Sequence, residues 1–210
     1  MPAPSYPLFL DITTRLCVII GGGAVATRKA QSLLAAGATR VRMIAPMIAP
    51  DVPQAVQQVR EAYRADHLDG AGLVFAATNS PEINDAVVRD ASARNILVSR
   101  ADTDDDHPGD FHSPARFTDG PITVAISAGS PALSVMIRDC LASQWNPNWT
   151  ALAQAMSELR PEIKKSFDEP IRKTIFRDLA TKEAMDVLAS SGIQGLRVWV
   201  HHRHGGASEK

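Results

Sequence analysis

No stretch of this 210-residue chain approaches the ~20 consecutive apolar residues that a helix needs to cross a bilayer, so no membrane segment is expected. Acidic and basic side chains nearly cancel, 23 against 22, leaving a net charge of −1. That balance gives no electrostatic reason to expect a nucleic acid or an anionic membrane surface as partner. The opening residues, MPAPSYPLFLDITTR, have no basic start ahead of their short apolar patch, so no secretory signal is expected. Cysteine is scarce, and the two present lack zinc-type spacing. Cys17 falls in an apolar strand pattern and Cys140 in a helical one, so both read as buried thiols of a reducing cytoplasm. No internal repeat is visible. The length suits one domain with additions or two small domains, and either can bury a core.

Against these absences, Val18 to Ala38 (VIIGGGAVATRKAQSLLAAGA) stands out. Leu16 to Ile20 is short, wholly apolar and β-branched, as expected of a parallel strand covered on both faces. Gly21, Gly23 and Ala26 then read as G-x-G-x-x-A. The first glycine permits a tight turn, the second lets a pyrophosphate approach the backbone, and the small third residue lets helix and strand pack closely. Ala26, Ala30, Leu33 and Leu34 recur at helical spacing from Ala24 on, and Gly37 is a stop signal. The helix start would point free N–H groups at an anion. A glycine-rich turn with no ligand is the plainer alternative, but the strand before and helix after favour a nucleotide.

Val41 to Ala45 reads as a second strand. An acid near its end would mark an NAD ribose site, but Ala45 and Pro46 stand there, and Asp51 reads equally as the cap of a following helix. No arginine sits at the strand end, so charge leaves NAD and NADP undecided. Leu73 to Ala77 is another buried strand, with Thr78 and Asn79 at the end where open α/β sheets bind ligands. Pro81 to Arg94 is a helix candidate and Ile96 to Val98 a further strand, followed by Asp102. Alternating strands and helices describe a doubly wound parallel sheet over roughly the first half of the chain.

The segment ADTDDDHPGDFHSP places five acids and two histidines between Ala101 and His112. Asp104 to His107 reads as a solvated acidic loop with a turn at Pro108 and Gly109, rather than as a metal site. Asp102 differs, because a carboxylate at a strand end can act as a general base or balance a cationic intermediate. Further on, Ile122 to Ile126 reads as a strand. Pro131 to Ser143 reads as a helix with Leu133, Ile137 and Leu141 along one face. Trp145 to Trp149 (WNPNW) reads as a hinge. Short helices are expected over Trp149 to Arg160, Glu162 to Asp168, Pro170 to Leu179 and Lys182 to Ser190. Their basic residues suit solvated faces, with a few able to clamp carboxylates. The tail, with His201, His202 and His204, can bind metal but fits a disordered terminus better.

Taken in order, GGGAVATRKAQSLLAAGA, AATNSPEIN, Asp102, FHSPAR and PITVAISAGSPALSVMIR resemble the precorrin-2 dehydrogenase family, the N-terminal part of siroheme synthase or its stand-alone form. The resemblance runs from about Tyr6 to about Leu179 and implies an α/β architecture. A Rossmann-type nucleotide domain (1–114) would be followed by a small α+β dimerisation segment (115–147) and a helical C-terminal domain (148–210) with a flexible tail. It implies a cytoplasmic homodimer that oxidises precorrin-2 to sirohydrochlorin and passes hydride to NAD⁺. Some members also insert Fe²⁺.

Carried over position by position, Gly21, Gly22, Gly23, Ala24, Val25 and Ala26 would line the cofactor, with Ala45 and Pro46 near its ribose and Thr78 and Asn79 near its nicotinamide. Asp102 would be the catalytic residue. Phe111, Pro114, Ser127, Gly129 and Ser130 would contact substrate, and no resident metal is implied. Asn84 matches a recurring family asparagine to which the sequence attaches no role. The chain departs from the family in a shorter Ser127–Pro131 loop, in a longer and more acidic loop before Phe111, and in Ala128, where some members carry a phosphorylatable serine. Extra acids near a polycarboxylate substrate would oppose its binding. The methyltransferase region that some siroheme synthases append has no counterpart in these residues, so precorrin-2 is expected from elsewhere. The alternatives are a bifunctional dehydrogenase and ferrochelatase, and a non-catalytic NAD(H)-sensing dimer.

Overall fold

The computed structural model describes residues 6–101 and 109–205. β1 (Leu16–Ile20) is buried along its whole length, as its unbroken apolar run requires. Each such Ile or Val contributes about 1.5–3 kcal/mol by leaving water. It is the middle strand of a five-stranded parallel sheet of order β3-β2-β1-β4-β5, made with β2 (Arg40–Ile44), β3 (Gln57–Val59), β4 (Ala71–Ala76) and β5 (Leu97–Arg100). α1 (Ala24–Ala35) links β1 to β2, and α2 (Pro81–Ala93) links β4 to β5. Two apolar clusters cover the sheet. One holds Ala26, Ala30 and Leu33 of α1 against Ile19, Met43 and Phe75. The other holds Val87 and Ala91 of α2 against Val18, Ile44 and Val74. Alternate residues of β1, β2 and β4 feed the two clusters, as the period of two demands.

Asp51 caps no helix. The chain from Ala49 to Val56 makes turns and then enters β3, a short exposed edge strand with no apolar alternation to announce it. Asp110, to which the sequence assigns no role, is tied to β5. Its carboxylate accepts from the Val98 N–H at 2.9 Å, and its own N–H donates to the Val98 carbonyl at 2.7 Å.

The chain divides into two compact units, with the boundary between Ser113 and Pro114. The second unit opens with an antiparallel hairpin, β6 (Ala115–Asp119) and β7 (Ile122–Ile126), followed by α3 (Pro131–Ser143). Three helices follow: α4 (Pro147–Ser166), α5 (Glu169–Leu179) and α6 (Lys182–His204). They bury Leu152, Leu159, Ile163, Ile175, Leu179, Leu196 and Val200 together. The two helices expected on either side of Pro161 are one helix, because Leu152, Ala155, Leu159 and Ile163 form a continuous buried stripe across the proline. The hinge expected at WNPNW is narrow. α4 starts at Pro147, and Trp145 packs edge-on against Phe117 and Trp149, with its indole N–H on Asp119 at 2.9 Å.

The histidine tail expected to be disordered is helical through His204, which is buried, while His201 lies 3.1 Å from Glu162. The His201 contact, followed by the Arg197 ion pair, holds Glu162 below the ordinary carboxylate range. Cys17 is buried, and burial pushes its thiol pKa up, but Cys140 is exposed, contrary to expectation. α3 buries only Ser134, so its cysteine has no core to enter. No helix among the described residues is long and apolar enough to cross a membrane.

Candidate nucleotide site

The three glycines leave β1 at the C-terminal edge of the sheet, and each meets a different local constraint. Gly21 has φ +129°, and a Cβ there would lie 2.2 Å from the Ala77 carbonyl oxygen. Only glycine fits that turn. At Gly22 a Cβ would come within 2.1 Å of the Met47 carbonyl oxygen and 2.9 Å of the Ala45 Cβ. The loop after β2 therefore lies against the glycine turn, tied there by the Ala49 N–H bond to the Gly22 carbonyl at 2.9 Å. Sequence reasoning missed this role, because the spacing motif treats the middle glycine as a free position.

Gly23 caps α1, and a Cβ there would meet nothing within 4 Å. No side chain caps the helix start, and its first turn carries no acid. Among the described residues, therefore, no side chain caps the helix start at Gly23 and none would meet a Cβ there. This is the cradle a pyrophosphate needs, with the helix dipole adding to its attraction. Ala26 is fully buried and lets α1 sit close to β1. Ala24 and Val25 are exposed on the first turn. The residues present therefore fit a dinucleotide. Beside the turn, Ala45 is buried and Pro46 exposed, with neither an acid nor a cation among the first residues after β2.

The adjoining loop follows β4. The Ala77 N–H donates to the Ile20 carbonyl at 2.8 Å, and beyond that bond the ladder to β1 ends. Thr78 is half-buried and Asn79 exposed. Asn84, one turn into α2, is fully buried and bonds Thr78 three times. Ser80 caps α2 by accepting from the Ile83 N–H at 3.3 Å. Its hydroxyl donates to Glu82, which lowers the Glu82 pKa.

Asp102 lies outside the described residues, as do Asp104 to His107. Arg100, at the end of β5, pairs with Asp85 of α2. Phe111 packs edge-on against Phe75 with ring centroids 5.5 Å apart, a core contact that its motif does not reveal. Lys29 of α1 donates to the Ser113 hydroxyl at 2.8 Å and lies over the Phe75 ring. Burial, then the neighbouring Arg28, holds its amine below the ordinary lysine range.

In the second unit, Pro114 precedes β6, and Ser127, Gly129 and Ser130 form the loop between β7 and α3. Gly129 has φ +68°. The buried Ser134, one turn into α3, secures that loop. Its hydroxyl accepts from the Ala128 N–H at 3.0 Å and donates to the Ser130 carbonyl at 2.8 Å. No group of three or more His, Cys, Asp or Glu side chains among the described residues could hold a metal ion.

Sheet order, an open glycine turn at an uncapped helix start, and a fixed loop on the neighbouring strand together define a dinucleotide-binding α/β protein of the Rossmann type. Residues 8–115 match the NAD(P)-binding family NAD_binding_7, and the chain belongs to that family.

Among curated proteins it is 36% identical over 171 residues to the siroheme synthase of Chromobacterium violaceum, a match covering 78% of this chain and 36% of that protein. It is 33% identical over 179 residues to the siroheme synthase of Methylobacillus flagellatus, covering 82% and 38%. The chain thus spans little more than a third of the length of these relatives. A solved structure titled "SirC, precorrin-2 dehydrogenase" superposes with a TM-score of 0.75 at 23% identity, covering 94% of this chain and 100% of that one. At that identity the likeness is one of fold.

Proposed function

We propose that this protein is an NAD-dependent precorrin-2 dehydrogenase that forms sirohydrochlorin on the route to siroheme. The observation that carries the reading is the open space over Gly23 at the uncapped start of α1, beside the anchored Thr78 loop. The siroheme synthase relatives, whose similarity extends past the nucleotide-binding unit, support the choice of substrate. NAD⁺, when bound, supplies the hydride acceptor. The backbone from Gly21 to Ala26 would hold its pyrophosphate, with Ala45 and Pro46 beside the adenosine ribose and Thr78 and Asn79 beside the nicotinamide. Fixing both halves on rigid elements removes orientational freedom from the reaction. Asp102 accepts a proton from the tetrapyrrole, or balances its positive charge, as hydride leaves. Contacts of Phe111, Pro114, Ser127, Gly129 and Ser130 with substrate rest on the family resemblance.

The protein acts as a homodimer in this reading. Leu133 and Leu141, on the stripe read from the sequence, remain exposed on α3, and Met136 is 60% exposed. Such an apolar face suits a second copy of the chain. Two free cysteines, one of them exposed, fit a reducing cytoplasm.

The test is anaerobic: purified protein, fresh precorrin-2 and NAD⁺, followed for NADH and for the sirohydrochlorin spectrum. Turnover is expected, and Asp102→Ala should lose about 100-fold or more in kcat while still binding NAD⁺. Equal turnover by Asp102→Ala would remove that residue from the mechanism. Absence of turnover with nucleotide binding intact would point to a sensing role instead. Fe²⁺ added after turnover tests metal insertion as a second activity.

A further inference from the structure

β4 ends at Ala76, and the residue that must redirect the chain is Thr78. With the ladder to β1 finished, its N–H and C=O need partners outside the sheet. Asn84 supplies both. Its Oδ1 accepts from the Thr78 N–H at 3.2 Å and from the Thr78 hydroxyl at 2.8 Å, and its Nδ2 donates to the Thr78 carbonyl at 3.0 Å. One buried amide therefore pins the peptide planes on both sides of Thr78. The Thr78 hydroxyl also accepts from the Ser80 N–H at 3.1 Å, which closes the loop onto the cap of α2. On the other side, the Ala77 carbonyl fills the space that a side chain at Gly21 would need. A continuous chain of contacts thus runs from Asn84 through Thr78 and Ala77 to the glycine turn.

The amount of polar chemistry buried here exceeds what a turn requires. A surface turn satisfies its backbone with water, and an apolar residue on α2 would pack more cheaply. A buried side chain whose bonds converge on one loop residue fixes that loop to a fraction of an ångström. We propose that Asn84 is a positioning residue: it sets the spacing between the pyrophosphate turn and the loop that receives the nicotinamide half. This rests on the assignment of Thr78 and Asn79 to the nicotinamide side. Asn84 does not touch the cofactor and acts through Thr78.

The test uses the full chain with NADH and ADP-ribose as probes. Emission anisotropy of bound NADH reports restraint of the reduced nicotinamide, whereas ADP-ribose affinity reports the pyrophosphate and adenosine sites alone. In Asn84→Ala the anisotropy should fall toward that of a mobile ring, with ADP-ribose affinity within about twofold of wild type. Where precorrin-2 is turned over, kcat should fall about 100-fold with little change in KM for NAD⁺.

Asn84→Asp guards against a folding failure. Its carboxylate still accepts from the Thr78 N–H but cannot donate to the Thr78 carbonyl. As pH falls from about 8 to about 6, through the raised titration range of a buried carboxyl, protonation restores a donor, and nicotinamide restraint should return. Wild type should show no such recovery.

A restrained ring in both variants at every pH would overturn the inference and leave the Thr78 assignment standing. Equal weakening of both probes with the ring still restrained would mark Asn84 as structural only and likewise overturn it. A mobile ring already present in wild type would overturn the Thr78 assignment together with the inference. The precorrin-2 reading is decided separately, by wild-type turnover.

Discussion

A methyl group added at Gly22 would come within 2.1 Å of the Met47 carbonyl oxygen, whereas one at Gly23 would meet nothing within 4 Å. The two adjacent positions should therefore separate stability from binding. Gly22→Ala must push the loop after β2 away and should destabilise by about 1–3 kcal/mol, read by thermal or denaturant unfolding. Gly23→Ala, with φ −91° and ψ −171° already acceptable to alanine, should unfold within about 0.5 kcal/mol of wild type. It should nevertheless lose NAD⁺ affinity by about tenfold or more, because the new methyl would stand in the phosphate approach proposed above. Retained affinity in Gly23→Ala would place the nucleotide elsewhere. The glycine spacing made Gly21 and Gly23 legible in the sequence. The need for Gly22 was not, because it comes from a loop more than twenty residues away. The role of Asn84 was equally hidden, since hydrogen bonds across a loop leave no period in the sequence.

Elements were legible where apolar residues recur at a regular spacing or a proline marks a helix start. β1, β7 and α3 fall on the residues that their apolar runs and proline start indicate. β3 was not legible, because Gln57–Val59 is an edge strand with two exposed glutamines, held in place by its pairing with β2. Nor was the second half of α6. Its buried face (Leu196, Val200, His204) includes a histidine, and Gly192 interrupts the pattern with φ +63° and ψ −170°. That conformation is essentially open to glycine alone, while a side chain there would find free space. Gly192→Ala should therefore destabilise the helical part by about 1–3 kcal/mol through backbone strain rather than collision, read as a lower unfolding midpoint. An unchanged midpoint would mean that the helix straightens without loss of packing.

At the scale of the molecule, α3 packs on the hairpin of β6 and β7 and still leaves apolar side chains exposed. Of its thirteen residues only Ser134 is buried, while Leu133, Val135, Met136 and Leu141 are all at least 40% exposed. A charge among these exposed apolar side chains should prevent self-association. Met136→Glu should sediment as a monomer at micromolar concentration where wild type is a dimer, with circular dichroism unchanged. A wild-type monomer would remove the homodimer from the proposed function. The sequence showed the stripe of α3 but not its fate, because periodicity is the same whether a face is covered from within the chain or by another copy.

The three tryptophans, Trp145, Trp149 and Trp199, all lie beyond the boundary at Pro114, and Trp145 packs edge-on against both Phe117 and Trp149. Tryptophan fluorescence, excited selectively over that of Tyr6 and Tyr63, is thereby an optical label for one half of the protein alone. Red-shifted emission on heating or in denaturant registers the melting of the hairpin and helices, and the nucleotide-binding half stays dark to that probe. A titration in which tryptophan emission and far-ultraviolet dichroism part company would give the separate stabilities of the two units without cutting the chain.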